Sequence, residues 1–199
     1  DENPELIEAR LKQIRTLSRK EALPIILGDK KNYCVAGAHG KSTTTAILAS
    51  ILQSSALIGA ISKDFGSNFR YVNDLIAFEA DESDASFLLS NPYCAIVTNA
   101  EPEHMEYYHY DYDKFYESYE RFISLATKKV VNGEDKDIKK LKIEDATYLY
   151  PSKDIKNLCY TLRDNQPCTK FDLKDLGTFE VWGFGFHMAS NASLAILAV

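Results

Sequence analysis

The stretch Val35-Ala36-Gly37-Ala38-His39-Gly40-Lys41-Ser42-Thr43-Thr44-Thr45 decides how the rest of the chain is read. Before it, Tyr33-Cys34-Val35-Ala36 has the apolar character of a strand end. After it, Ile47, Leu48, Ile51 and Leu52 recur on one face of a helix. Strand, short glycine-bearing loop and helix, in that order, make a phosphate cradle. The glycines let backbone N–H groups approach phosphate oxygens, and the helix N-terminus adds partial positive charge. Lys41 can reach the β- and γ-phosphates, and the Ser42 hydroxyl suits Mg²⁺. The general pattern has a further glycine five residues before Gly40, where this chain has Val35.

Outward from the loop, strand and helix patterns alternate. A helix is expected over 4–20, with Ile7, Leu11, Ile14 and Leu17 on one face; 21–30 is ambiguous because Pro24 interrupts it. Strands follow at 33–36, 57–59, 74–78, 94–97 and 129–131, with a helix at 43–53, a helical turn at 85–89 and a mobile polar loop over 62–73. The clearest helix carries Tyr112, Phe115, Tyr116, Tyr119, Phe122, Ile123 and Ala126 on one face. This alternation predicts an α/β fold: a doubly wound, mostly parallel sheet. After residue 145 four short strands, at 147–150, 158–162, 169–173 and 178–182, predict a small antiparallel sheet. A closing helix then returns to the nucleotide site.

The 199 residues suffice for one substantial domain, and a 45% hydrophobic content supplies its core. A net charge of −6 without a Lys/Arg block argues against nucleic acid. No apolar run reaches membrane-spanning length and no signal peptide is visible, so neither a membrane nor export is expected. Cys34, Cys94, Cys159 and Cys168 lack zinc-site spacing and read as free thiols of a cytoplasmic protein. The chain begins at Asp1 rather than Met, and 191–199 reads as a helix cut short, so a piece of a longer protein is expected.

Glu79, Asp81, Glu82 and Asp84 place four carboxylates directly after a buried strand. Ligands of open α/β sheets bind beyond the carboxyl ends of strands, so the cluster falls where phosphates are expected. A triphosphate carries roughly four negative charges, and each like-charge pair at 4 Å costs about 4 kcal/mol at an effective dielectric of 20. A hard, oxygen-seeking ion between them resolves the conflict, and Mg²⁺ is the natural one, with Glu79 as the ligand candidate. The alternative is a solvated acidic loop capping the next helix through Ser83 or Asp84. His104, in Thr98-Asn99-Ala100-Glu101-Pro102-Glu103-His104-Met105, faces the same sheet edge and suits a second metal, a substrate oxyanion or a neighbouring glutamate. His109 reads as structural. Gly183-Phe184-Gly185 lacks the third glycine of a dinucleotide fingerprint. His187 and Asn191 lie four apart, on one helix face, where they could read an adenine edge or merely cap the helix.

Together these motifs resemble the central domain of the Mur ligases, ATP-dependent amide-forming enzymes of peptidoglycan synthesis. The resemblance rests on Gly37 to Thr44, Glu79 to Phe87, Thr98 to Met105 and, more weakly, His187 to Ala192, and it spans nearly all of 1–199. It implies that Gly37, Ala38, His39, Gly40, Lys41, Ser42 and Thr43 wrap the ATP phosphates. Asn99 is placed near the nucleotide, and His187 and Asn191 at the adenine. Ser42 and Glu79 are implied to hold one Mg²⁺, and His104 a second, with Lys41, Glu79 and His104 as the catalytic set. The branch it matches best joins L-alanine to UDP-N-acetylmuramate through an acyl phosphate, so ATP, that sugar nucleotide and L-alanine are the implied partners. The opening Asp1-Glu2-Asn3-Pro4-Glu5 resembles the family's hinge, 1–30 being a helical lead-in. The family's UDP-binding and amino-acid-binding domains lie outside these residues, so the fragment alone is expected to be inactive. Departures are Ala38 for threonine, Ser42 for threonine, Met188 for asparagine, and Arg121 where some relatives carry a carbamylated lysine. The rival branch attaches a tripeptide to the same sugar nucleotide and has an aromatic at position 83, where this chain has Ser83. A P-loop kinase fits less well, because arginine is sparse; a nucleotide-binding module without ligase activity is the remaining alternative.

Overall fold

The computed structural model describes residues 3–199; Asp1 and Glu2, which open the hinge-like segment, lie outside them. The chain runs α1 (Pro4–Leu11), α2 (Arg19–Leu27), β1 (Lys31–Ala36), α3 (Lys41–Leu52), β2 (Ser55–Ser62), β3 (Ser67–Arg70), β4 (Leu75–Glu79), β5 (Pro92–Val97), α4 (Tyr112–Ser124), β6 (Lys128–Asn132), β7 (Thr147–Leu149), α5 (Pro151–Asp154), β8 (Ile155–Arg163), β9 (Gln166–Leu173), β10 (Gly177–Trp182) and α6 (Phe186–Leu197). The main sheet has the order β3-β2-β4-β1-β5-β6-β7, parallel throughout except for β3, which returns antiparallel on β2. A second sheet, β10-β9-β8, is antiparallel. The doubly wound sheet with a small antiparallel companion is therefore present.

Strand alternation builds the two cores. Cys34, Ala36, Phe78, Ala95 and Val97 face one side, with Leu23 and Leu27 of α2 and Phe115, Tyr119 and Phe122 of α4. Tyr33, Val35, Ala77, Cys94 and Ile96 face the other, with Leu48 of α3, Ala192 and Leu194 of α6, and Phe171 and Leu173 of the small sheet. Both faces are covered, which explains the near-continuous apolar strands.

Four sequence readings are corrected. The helix over 4–20 is two helices: Gln13 adopts φ 55°, and Ser18 caps α2 by accepting from the Glu21 N–H while the Glu21 carboxylate accepts from the Ser18 N–H. Ile7, Leu11, Ile14 and Leu17 are exposed rather than forming a core face. Pro24 does not end α2, because Leu23 and Leu27 are buried on either side of it. The loop over 62–73 contains β3. Thr147–Leu149 belongs to the main sheet, paired parallel to β6.

Candidate nucleotide-binding site

Strands β4, β1 and β5 are adjacent and in register, with Val35 opposite Glu79 and Ala36 opposite Val97. Their carboxyl ends therefore bring the 37–40 loop, Glu79 and the 98–104 segment to one edge. Gly37 (φ 136°) is wedged so tightly that a Cβ there lies 2.2 Å from the Thr98 hydroxyl and 2.8 Å from the Asn99 carbonyl. Gly40 (φ 83°) caps α3 in the left-handed region, which favours glycine. Its missing Cβ is what lets the Asn191 side chain approach, since a Cβ lies 2.7 Å from that Oδ1.

The loop is braced from β5. Thr98 Oγ1 and Asn99 Nδ2 both donate to the His39 carbonyl, at 2.6 and 2.8 Å, and the His39 N–H donates to Asn99 Oδ1 at 3.3 Å. Asn99, expected near the nucleotide, thus holds the loop's backbone, and Thr98 does so beside it without having been singled out. His39 itself is exposed and lies 3.7 Å from a Glu101 oxygen and 3.5 Å from one of Glu103. Those contacts bring the segment ending in His104 alongside the cradle. His104 is exposed and left-handed at φ 52°.

The acidic cluster divides. Asp81 pairs with Arg19 at 2.7 Å and Asp84 with Lys20 at 3.7 Å, joining α2 to this loop. Burial alone pushes the Asp81 carboxyl up, but hydrogen bonds from Arg19 and Ser83 outweigh it and lower its pKa to about 2. Glu82, almost fully buried, pairs with Lys41 at 2.9 Å. Burial lifts its carboxyl above the ordinary range despite Lys41. Glu79 alone of the four has no cation within 4 Å among the described residues; its Oε2 accepts from the Gly59 N–H at 2.7 Å. It is the last residue of β4 rather than the first beyond it. Glu79, Lys41, Gly59, Arg19 and Asp81 line one cleft of about 400 Å³. Ser42 and Thr43 line a neighbouring one of about 580 Å³ with Met188 and Trp182.

Among the described residues no group of three or more His, Cys, Asp and Glu is clustered for a metal. The residue types nonetheless suit Mg²⁺, a hard ion usually held by one or two carboxylates and phosphate oxygens: the Glu79 carboxylate has no cation within 4 Å among the described residues, and the Ser42 hydroxyl stands in the first turn of α3 just after the loop, the two lining separate clefts. Asn191 meets the cradle, while the His187 ring folds over Gly185 and is exposed. Ala38 is half-buried and offers only backbone. Cys34 and Cys94 are buried thiols pushed up to about 12 by burial, so neither is a ready nucleophile.

A parallel sheet with a glycine-hinged loop leading into a helix, a lysine across that loop and a cation-free carboxylate at the next strand's end defines a phosphate-binding-loop α/β domain. The description "Mur ligase middle domain" matches residues 35–199, and the chain belongs to that family. It is 59% identical over its whole length to a UDP-N-acetylmuramate–L-alanine ligase of Campylobacter curvus. To ligases of the same name from Campylobacter jejuni and Helicobacter pylori it is 54% and 52% identical. The chain spans 46%, 46% and 44% of those relatives. Among solved structures, the UDP-N-acetylmuramate–alanine ligase MurC of Thermotoga maritima superposes with a TM-score of 0.78 at 24% identity, covering 99% of this chain and 48% of that one. This last likeness shows the shared fold.

Proposed function

We propose that the chain, over 1–199, is the ATP-handling middle domain of a cytoplasmic ligase that joins L-alanine to UDP-N-acetylmuramate. The single observation that carries its chemistry is the cradle of Gly37 to Ser42 with Lys41 across it and Glu79, alone in its cluster, left without a cation. The ligase names of relatives that match the whole of this chain over 46% of their own length support the reaction, and Ser83 supports alanine over a tripeptide. No helix among the described residues is long and apolar enough to cross a membrane.

In this reading the amides of 37–43 receive the phosphates, Lys41 offsets charge on the γ-phosphoryl group, and Asn191 closes the loop side toward the base. Ser42 and Glu79 would hold one Mg²⁺ and His104 a second; when bound, these ions neutralise the meeting of a substrate carboxylate with a triphosphate. Carboxylate attack on the γ-phosphorus breaks its bond to the β–γ bridging oxygen, giving an acyl phosphate and ADP; the alanine amine then attacks the acyl carbonyl, loses a proton and expels inorganic phosphate. No protein nucleophile takes part.

Calorimetry with Mg²⁺ and a non-hydrolysable ATP analogue tests the core of this reading. Saturable binding is expected, weakened at least tenfold in Lys41→Met, as loss of a charge-assisted contact implies. No binding at millimolar analogue overturns it. The full-length ligase assayed with L-alanine against a tripeptide decides the branch.

A further inference from the structure

Glu82 is three residues past β4 and 3% exposed. Its Oε1 lies 2.9 Å from Lys41 Nζ, and its Oε2 is buried with no hydrogen-bond partner. Its own backbone is fixed, because its carbonyl accepts from the Tyr108 hydroxyl at 2.6 Å and from the Ala85 N–H at 3.1 Å. Lys41 Nζ makes a second bond, to the Gly37 carbonyl at 2.6 Å, while the Ala38 carbonyl stands off at 3.5 Å.

An ammonium has three donors on a flexible four-carbon stem. Here two donors are held by protein, one by the loop's own Gly37 carbonyl and one by Glu82 beyond β4, and the third has only the Ala38 carbonyl at 3.5 Å. A lysine so tethered has a defined aim. Glu79 differs in every respect: it is half-buried, has no cation and meets only a backbone amide. A buried carboxylate whose neighbouring cation lies at 2.9 Å is ill placed to serve a metal as well, since removing that cation leaves it uncompensated.

We infer that Glu82 is a positioning residue whose buried carboxylate, with the Gly37 carbonyl, aims the Lys41 ammonium into the phosphate cradle. The inference rests on the nucleotide-binding reading above and divides the acidic cluster's labour: Glu79 faces the metal, Glu82 the lysine.

The test is binding of the ATP analogue AMPPNP to Glu82→Ala and Glu82→Gln, each with Mg²⁺ and with EDTA, and each again in a Lys41→Met background. Thermal melts confirm folding, and the doubly substituted chains carry neither buried charge, so none of them strands one. Glu82→Ala is expected to bind roughly tenfold to a hundredfold more weakly than the parent chain, the range of a lost hydrogen bond to a charged group. Glu82→Gln keeps an acceptor at the same reach and is expected within about threefold of the parent. The Ala-to-Gln ratio holds in EDTA and disappears once Lys41 is Met. Three results overturn the inference alone: Gln as weak as Ala, a ratio abolished by EDTA, or a ratio that survives without Lys41. Absence of binding by the parent chain overturns the nucleotide reading and this inference with it.

Discussion

Asp81 shows how one residue's surroundings set its behaviour. Its folded pKa of about 2 lies below the ordinary carboxylate value, so the group stabilises the fold above about pH 4, and that contribution fades as pH falls toward 2. Arg19→Gln removes the principal bond holding the pKa down. The acid-unfolding midpoint, followed by circular dichroism from pH 6 to 2, is then expected to move upward; an unchanged midpoint denies the Arg19–Asp81 pair that role. Residue identity also explains which site assignments could be made early. Lys41, Ser42 and Glu79 could be nominated from the sequence because few side chains suit phosphate and magnesium, and they lie at or just beyond strand ends. The partners of Glu82 and Asn99 could not be. A carboxylate reads the same whether it faces metal or lysine, and an asparagine the same whether it faces a ligand or a backbone carbonyl. Thr98 opened one of the motifs but had no assigned role until the Gly37 wedge showed what its hydroxyl touches.

Among the elements, α4 was read most completely. Its apolar period matches its buried residues Phe115, Tyr119, Phe122 and Ile123, although Tyr112 of the expected face is exposed and Ala126 lies past the helix end, and Asp111 caps it by accepting from the Lys114 N–H. Phe122 stacks on Phe87 with ring centroids 4.8 Å apart, so this helix is bonded to the turn that follows the acidic cluster. Phe122→Ala is expected to cost about 3–5 kcal/mol in urea unfolding, from lost burial plus an unfilled cavity. A cost below about 1 kcal/mol denies that contact its place in the core. The lead-in was read less well. Ser18-x-x-Glu21 is a recognisable capping box and marks where α2 begins, but the apolar spacing from Ile7 to Leu17 suggested one long helix. Periodicity reports which residues could share a face; it does not report whether anything lies against that face.

For the molecule as a whole, the small sheet is the element whose attachment matters most. Phe171 and Leu173 of β9 are fully buried in the same core as α3 and α6, so β8–β10 is expected to unfold with the main sheet in a single transition. Phe171→Ala is expected to destabilise by about 3–5 kcal/mol, or to split the melt in two, seen by calorimetry. A wild-type melt already in two steps denies the shared core. From the sequence by itself came the parallel α/β class, the phosphate loop, the acidic strand end and family membership, because each is written in local spacing: period two, period 3.6, and glycines where the backbone must turn. Only the tertiary structure decided that β7 joins the main sheet, that Asn191 meets Gly40 and that Lys41 answers to Glu82 while Glu79 does not. Those pairings join residues from 17 to 151 positions apart, and which of several chemically equivalent partners meet depends on how packed layers bring strand ends together.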